Sequence, residues 1–190
     1  EQYKPSAYSQ FIKLNEKDII SDLQQCVDEY QPDIIFWSAV SSHIHGEGEY
    51  VNIQYGYELI NQLNTVALKI TGGIQATARP QEMFKLFPKV SYFIGGESEL
   101  VLCEIADNIE DSHKISKIKG IIFLDKGEVI SNPKQQIIND LDIIPSYDYS
   151  VFEDQIFFRP YNGSVERAVD YELSRGCIYA CSYCVETIIQ

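Results

Sequence analysis

Three short apolar runs, separated by stretches of helical period, fix what this chain can fold into: DIIFWSAV (33–40), ALKITGG (67–73) and VSYFIGG (90–96). A strand that is apolar at almost every position has no solvent face. It belongs inside a sheet covered on both sides, the usual setting of parallel strands. Between the runs the apolar spacing changes to three and four. Ile19, Ile20, Leu23 and Val27 mark a helix, with Asn15 as its cap and Pro32 beyond its end. Leu59, Ile60 and Leu63 face inward from a second helix over 55–66. Pro80 opens a short helix running through Leu86, and Ser98 caps one that presents Val101, Leu102, Ile105 and Ile109.

Strands alternating with helices imply parallel pairing through right-handed crossovers, hence a doubly wound α/β sheet with helices on both faces over roughly residues 18–110. Three strands are few for such a sheet, so one or two further βα units are expected ahead of it. GIIFLDKGEVI (120–130) reads as a hairpin turning at Asp125-Lys126-Gly127. Residues 131–165, with Pro133, Pro145 and Pro160, read as an irregular connector, and ERAVDYELSRGC (166–177) as a strand running into a loop. The expected organisation is a partial α/β domain with its hairpin over 1–130, the connector over 131–165, and the start of another domain over 166–190.

Composition removes several function classes. The net charge of −13, from 28 acids against 15 bases, argues against nucleic-acid binding and against an anionic membrane surface. No apolar run approaches the roughly 18–20 residues of a membrane span. The first ten residues lack the basic and apolar regions of a secretory signal, so the cytoplasm is the expected compartment. Five cysteines, an odd number with three crowded at one end, do not look like a disulfide framework and suit a reducing compartment.

Those three, Cys177, Cys181 and Cys184, form Cys-x3-Cys-x2-Cys. Three thiolates on one short loop can hold a cube-shaped [4Fe–4S] cluster and leave one iron open, since such clusters ordinarily take four cysteines. Structural zinc would want a fourth ligand. Three unrelated buried cysteines are the blandest alternative and fit this tight spacing least well. Cys26 and Cys103 fall on predicted helices and read as small buried hydrophobes. A second candidate site is the end of the sheet, where Gly72-Gly73 and Gly95-Gly96 close two of the runs. Ligands of open α/β sheets bind beyond the carboxyl ends of strands. Glycine there admits a ligand close to the backbone, or simply permits a tight turn.

The cysteine loop, with Tyr183 before its last cysteine and Ser174-Arg175-Gly176 ahead of it, is similar to the signature of radical S-adenosylmethionine enzymes. The segments Asp33–Ser38, Thr71-Gly72-Gly73 and Ile94–Glu99 resemble the cobalamin-binding domain that precedes the barrel in many of them, and the likeness spans roughly 18–184. The resemblance implies a cobalamin-binding-type, Rossmann-like sheet followed by the first strand and loop of a radical barrel. It makes Cys177, Cys181 and Cys184 the cluster ligands, puts S-adenosylmethionine on the open iron, and sets Tyr183 near the adenine. Ser38, Gly72, Gly73, Gly95 and Gly96 would line the corrin groove, and bulk at Gly72 or Gly95 should block it without harming the fold. It also implies a small-molecule or peptide substrate, an external electron donor such as flavodoxin or ferredoxin, and methyl transfer or related radical chemistry. The alternative is a radical enzyme whose α/β domain is a cobalamin-free scaffold or docking module. The stretch alone is expected to be inactive. The cobalt-ligating Asp-x-His-x-x-Gly of classical cobalamin domains is only echoed by Ser41-x-His43-x-x-Gly46, and many members of the radical family use no His ligand, so His43 and His45 read as loop residues and His113 as surface.

Overall fold

The computed structural model describes residues 17–38, 51–169, 175–176 and 178–183, with Ser38, Val51 and Asn52 described by their backbone only. The chain divides into two compact units. One is built from Ile19–Asn139 with Gly176–Gln190, the other from Asp140–Arg175 with Glu1–Asp18.

The first unit holds a five-stranded sheet in the order β1-β2-β3-β4-β5. The strands are β1 (Ile34–Ser38), β2 (Leu68–Gly72), β3 (Tyr92–Ile94), β4 (Ile121–Asp125) and β5 (Glu128–Ser131). The three apolar runs form β1, β2 and β3, and they pair in parallel. The hairpin does not stand apart, because β4 joins β3 antiparallel and β5 joins β4. At its turn Lys126 and Gly127 have φ of 51° and 86°, the left-handed pair that suits a two-residue hairpin.

The helices are α1 (Ile19–Tyr30), α2 (Val51–Ile60), α3 (Ile74–Ala78), α4 (Pro80–Leu86), α5 (Glu99–Asp107) and α6 (Ser112–Ile115). They cover both faces, as the alternation requires. Trp37 of β1 and Phe93 of β3 pack with Ile53, Ala76, Met83 and Phe84 of α2, α3 and α4. Ile70 and Ile94 pack on the other face with Val101, Ile105 and Ile115 of α5 and α6. The side-chain period of two thus sends alternate residues of one strand into separate cores. Phe93, Ile70 and Ile94 are fully buried, each contributing about 1.5–3 kcal/mol by leaving water.

Several local expectations change. Helix α2 ends at Ile60 rather than at 66, and Leu63 is buried in the turn that follows. The Ser98 side chain makes no capping bond to α5. Helices α3 and α6 have no counterpart in the sequence reading. Helix α1 contains no buried residue, and Cys26 on it is exposed, as is Cys103 on α5, so neither is a buried hydrophobe. Gln24 ties α1 to the turn before β2, accepting from Asn64 N–H at 2.8 Å and donating to Asn64 C=O at 3.3 Å.

Among its described residues the second unit contains three 3-10 turns and a hairpin of β6 (Phe158–Tyr161) with β7 (Ser164–Arg167). It is more ordered than an irregular connector. Of the strand read from 166 onward, Glu166 and Arg167 belong to the second arm of that hairpin, and residues 170–174 lie outside the described residues. Arg167 holds Asp154 through two nitrogens, at 2.7 and 3.0 Å, and its guanidinium stacks 5.2 Å from the Phe157 ring.

Candidate functional site

The parallel strands end flush. Ser38 pairs with Gly72 and Gly72 with Ile94, so the residues following all three strands stand along one edge. Because β4 runs antiparallel and β5 turns back again, the start of β4 and the end of β5 meet that same edge. Gly95 N–H donates to Gly120 C=O, and Gly120 N–H to Pro133 C=O, both at 2.8 Å. The connector after Pro133 therefore leaves the sheet beside the second Gly-Gly turn. Glu97 fastens it there, accepting from Ile138 N–H at 2.7 Å. Glu97 thus has a structural partner beyond the favourable helix start at α5.

The four glycines divide into two kinds. Gly72 and Gly95 are small because neighbours are close: a Cβ on Gly72 would lie 3.1 Å from the Ile94 carbonyl oxygen, and one on Gly95 would lie 3.3 Å from Ile122 Cδ1. Gly73 and Gly96 are needed for backbone conformation, with φ of 122° and 86°. Around a Cβ at Gly96 there is open space, with nothing within 4 Å. Bulk at Gly72 is therefore not a clean block of a groove, since it presses on the backbone of β3.

Two threonines given no role of their own in the sequence reading build this edge. Thr71, fully buried, donates its hydroxyl to Trp37 C=O at 2.7 Å and joins the ends of β1 and β2. Thr77 on α3 donates to Gly73 C=O and accepts from Gly96 N–H, both at 3.0 Å, so one hydroxyl spans the two Gly-Gly turns. Among the described residues one enclosed polar atom is left over. Trp37 Nε1 is buried and has no hydrogen-bond partner. Gln75, only 7% exposed, makes no side-chain hydrogen bond with any described residue, although its main-chain carbonyl accepts from Arg79.

Of the cysteine loop, Cys177 and Cys184 lie outside the described residues, as do His43 and His45. Cys181 is half-buried and Tyr183 is 91% exposed. Among the described residues no group of three or more His, Cys, Asp or Glu is placed to hold a metal ion. The donor set itself, three thiols spaced x3 and x2, has the chemistry of an iron–sulfur ligand loop. His113 is exposed, as expected. No helix among the described residues is long and apolar enough to cross a membrane.

No family model matches the chain. It is 28% identical over 167 residues to the anaerobic magnesium-protoporphyrin IX monomethyl ester cyclase of Cereibacter sphaeroides, covering 85% of this chain and 26% of the cyclase. An uncharacterized methyltransferase of Pyrococcus horikoshii is 22% identical over 171 residues, covering 88% of this chain and 34% of that protein. Its homologues are a cyclase and a methyltransferase. The chain spans between a quarter and about a third of their length. In fold it is similar to the radical S-adenosylmethionine methyltransferase TsrM from Kitasatospora setae, solved with cobalamin and a [4Fe-4S] cluster bound, at a TM-score of 0.52 and 22% identity. That match covers 87% of this chain and 34% of TsrM. What the two share is the fold, a mostly parallel sheet with helices on both faces.

Proposed function

We propose that this chain is part of a radical S-adenosylmethionine enzyme that holds cobalamin along the carboxyl edge of its sheet and a [4Fe–4S] cluster on Cys177, Cys181 and Cys184. The observation that carries the reading is the three-thiol loop on a chain whose sheet ends in a flush, glycine-turned edge. Open space at Gly96 and the unmatched indole N–H of Trp37 suit a large ligand rich in hydrogen-bonding groups. Ser38, Gly72, Gly73, Gly95 and Gly96 would line that groove, and Tyr183 would stand beside the adenine of S-adenosylmethionine.

When bound, the cluster and S-adenosylmethionine supply a radical and cobalamin supplies methyl-group chemistry. This chain's residues bind and position. The three thiolates hold iron, and Thr71 and Thr77 fix the separations of the strand ends. The names of the cyclase and the methyltransferase support ring formation or methyl transfer as the reaction class. A small-molecule or peptide substrate, a flavodoxin- or ferredoxin-type electron donor and a cytoplasmic setting go with that class. This stretch alone is expected to yield no product, because radical chemistry needs a site closed to water.

Anaerobic reconstitution with iron, sulfide and hydroxocobalamin tests the reading. Cys177→Ala, Cys181→Ala and Cys184→Ala should each lose bound iron, whereas Cys26→Ala and Cys103→Ala should retain it. Full iron retention in any of the first three would remove that ligand. Iron bound without any cobalamin would favour the sheet as a scaffold or docking module.

A further inference from the structure

We propose that Glu97 couples the ligand edge to the connector, so that a ligand seated at the two Gly-Gly turns and the docked stretch 133–138 hold each other in place; this deepens the cobalamin reading above and rests on it. What carries it is a continuous run of hydrogen bonds. The Thr77 hydroxyl donates to Gly73 C=O and accepts from Gly96 N–H, both at 3.0 Å. The next residue, Glu97, accepts from Ile138 N–H at 2.7 Å. Two side chains thus join the first turn, the second turn and the connector, and they do so where Gly96 leaves open space.

The connector is fastened at two earlier points as well, where Gly120 N–H donates to Pro133 C=O and the Gln135 amide donates to Glu104, both at 2.8 Å. Neither of these touches a Gly-Gly turn. Glu97 differs because it directly follows Gly96, whose φ of 86° belongs to the left-handed region, so the conformation of that turn sets where the carboxylate lies. Ile138 is buried, and a buried N–H is ordinarily hydrogen-bonded. A carboxylate accepts it more strongly than a neutral oxygen does. A ligand resting against Gly96 would restrain the turn and hence the Glu97–Ile138 bond, and by linkage the bonded connector would hold the turn ready for the ligand. Glu97 is therefore a positioning residue, acting two residues before the second unit begins at Asp140.

Amide hydrogen exchange followed by NMR on the 190-residue chain, with and without hydroxocobalamin, tests this together with hydroxocobalamin titrations of the wild type, Glu97→Ala and Glu97→Gln. The ligand should slow exchange at Ile138 by about five-fold or more beyond any slowing at Ser91. Ser91 is the control because its N–H bonds to Lys69 C=O just before β3, at the far end of that strand from Gly95. Glu97→Ala should bind hydroxocobalamin more weakly by the same factor, since the coupling between two sites is reciprocal. Glu97→Gln keeps an acceptor oxygen and should recover most of both effects. Circular dichroism serves as the fold control, and if Glu97→Ala fails to fold, the exchange measurement on the wild type stands as the test. Binding by the wild type with no extra slowing at Ile138 would overturn the coupling and leave the cobalamin reading standing, as would undiminished affinity in folded Glu97→Ala. No binding by the folded wild type would overturn the cobalamin reading and the coupling together.

Discussion

Gly56 sets two effects against each other, and the structure decides which wins. It lies inside α2, where alanine is worth about 1 kcal/mol more than glycine through helix propensity. A Cβ at Gly56 would, however, sit 2.6 Å from Trp37 Cδ1 and 2.8 Å from Nε1. Carbons pack at roughly 3.5–4.0 Å, so the indole would have to retreat by about 1 Å. It has little freedom to do so. Its backbone is paired with β2, its carbonyl takes the Thr71 hydroxyl, and its Nε1 is already enclosed. Overpacking of this kind costs about 1–3 kcal/mol. Gly56→Ala should therefore destabilise this unit by about 1 kcal/mol on balance. Trp37 is the only tryptophan, so urea unfolding followed by its fluorescence reads the unit directly. The midpoint should fall by about 0.5 M for a slope of about 2 kcal/mol/M, with a changed native emission maximum. A variant more stable by about 1 kcal/mol with unchanged emission would show that propensity governs and that the indole does not rest on Gly56.

Asn132→Ala should cost about 1–3 kcal/mol in urea unfolding, because its side-chain amide donates to Ser116 C=O at 2.9 Å and Ile118 C=O at 2.7 Å. Thr77→Val should speed hydrogen exchange at the Gly96 amide and cost about 1 kcal/mol, while Thr77→Ser should restore the exchange protection. Asp111 accepts from Lys114 N–H at the start of α6, and that bond, followed by the nearby Lys114 charge, holds its carboxyl below the ordinary carboxylate range. A depressed folded-state value adds stability above about pH 4 that fades as pH falls through the folded value. Melting temperatures from pH 6 to pH 2 should therefore drop less steeply for Asp111→Asn than for the wild type.

The strands were legible because each is a continuous apolar run, and the hairpin because Lys126-Gly127 supplies its turn. Helices α3 and α6 are five and four residues long, too short for a period to show. Asn162-Gly163 did carry a hairpin signal, with φ of 46° and 83°, but Pro160 within the first arm argued for irregular chain. Cys26 sits one turn from Leu23, yet among the described residues no element covers that side of α1, and burial depends on what covers a helix rather than on its own period. At the candidate site the glycines stood out in the sequence and their fasteners did not. Thr71 meets Trp37, and Glu97 meets Ile138, across separations that only the folded sheet closes. Cys177 and Cys184, the strongest chemical signal in the sequence, lie outside the described residues, so the ligand assignment rests on their spacing.

The mixed directions of the sheet also bear on how it assembles. Strands β4 and β5 are joined by two residues, and such hairpins form in roughly 1–10 μs. Parallel strands have no such shortcut. Pairing β1 with β2 means closing the stretch 39–67, and pairing β2 with β3 means closing 73–91, each at an entropic cost before any contact repays it. Strand β3 can instead dock on a hairpin already in place, through the bond between Gly95 and Gly120. The carboxyl-terminal half of the sheet is therefore expected to nucleate folding, with β1 joining last. Mutations at Ile121 and Ile122 should then slow refolding, and those at Ile34 and Ile35 should chiefly hasten unfolding.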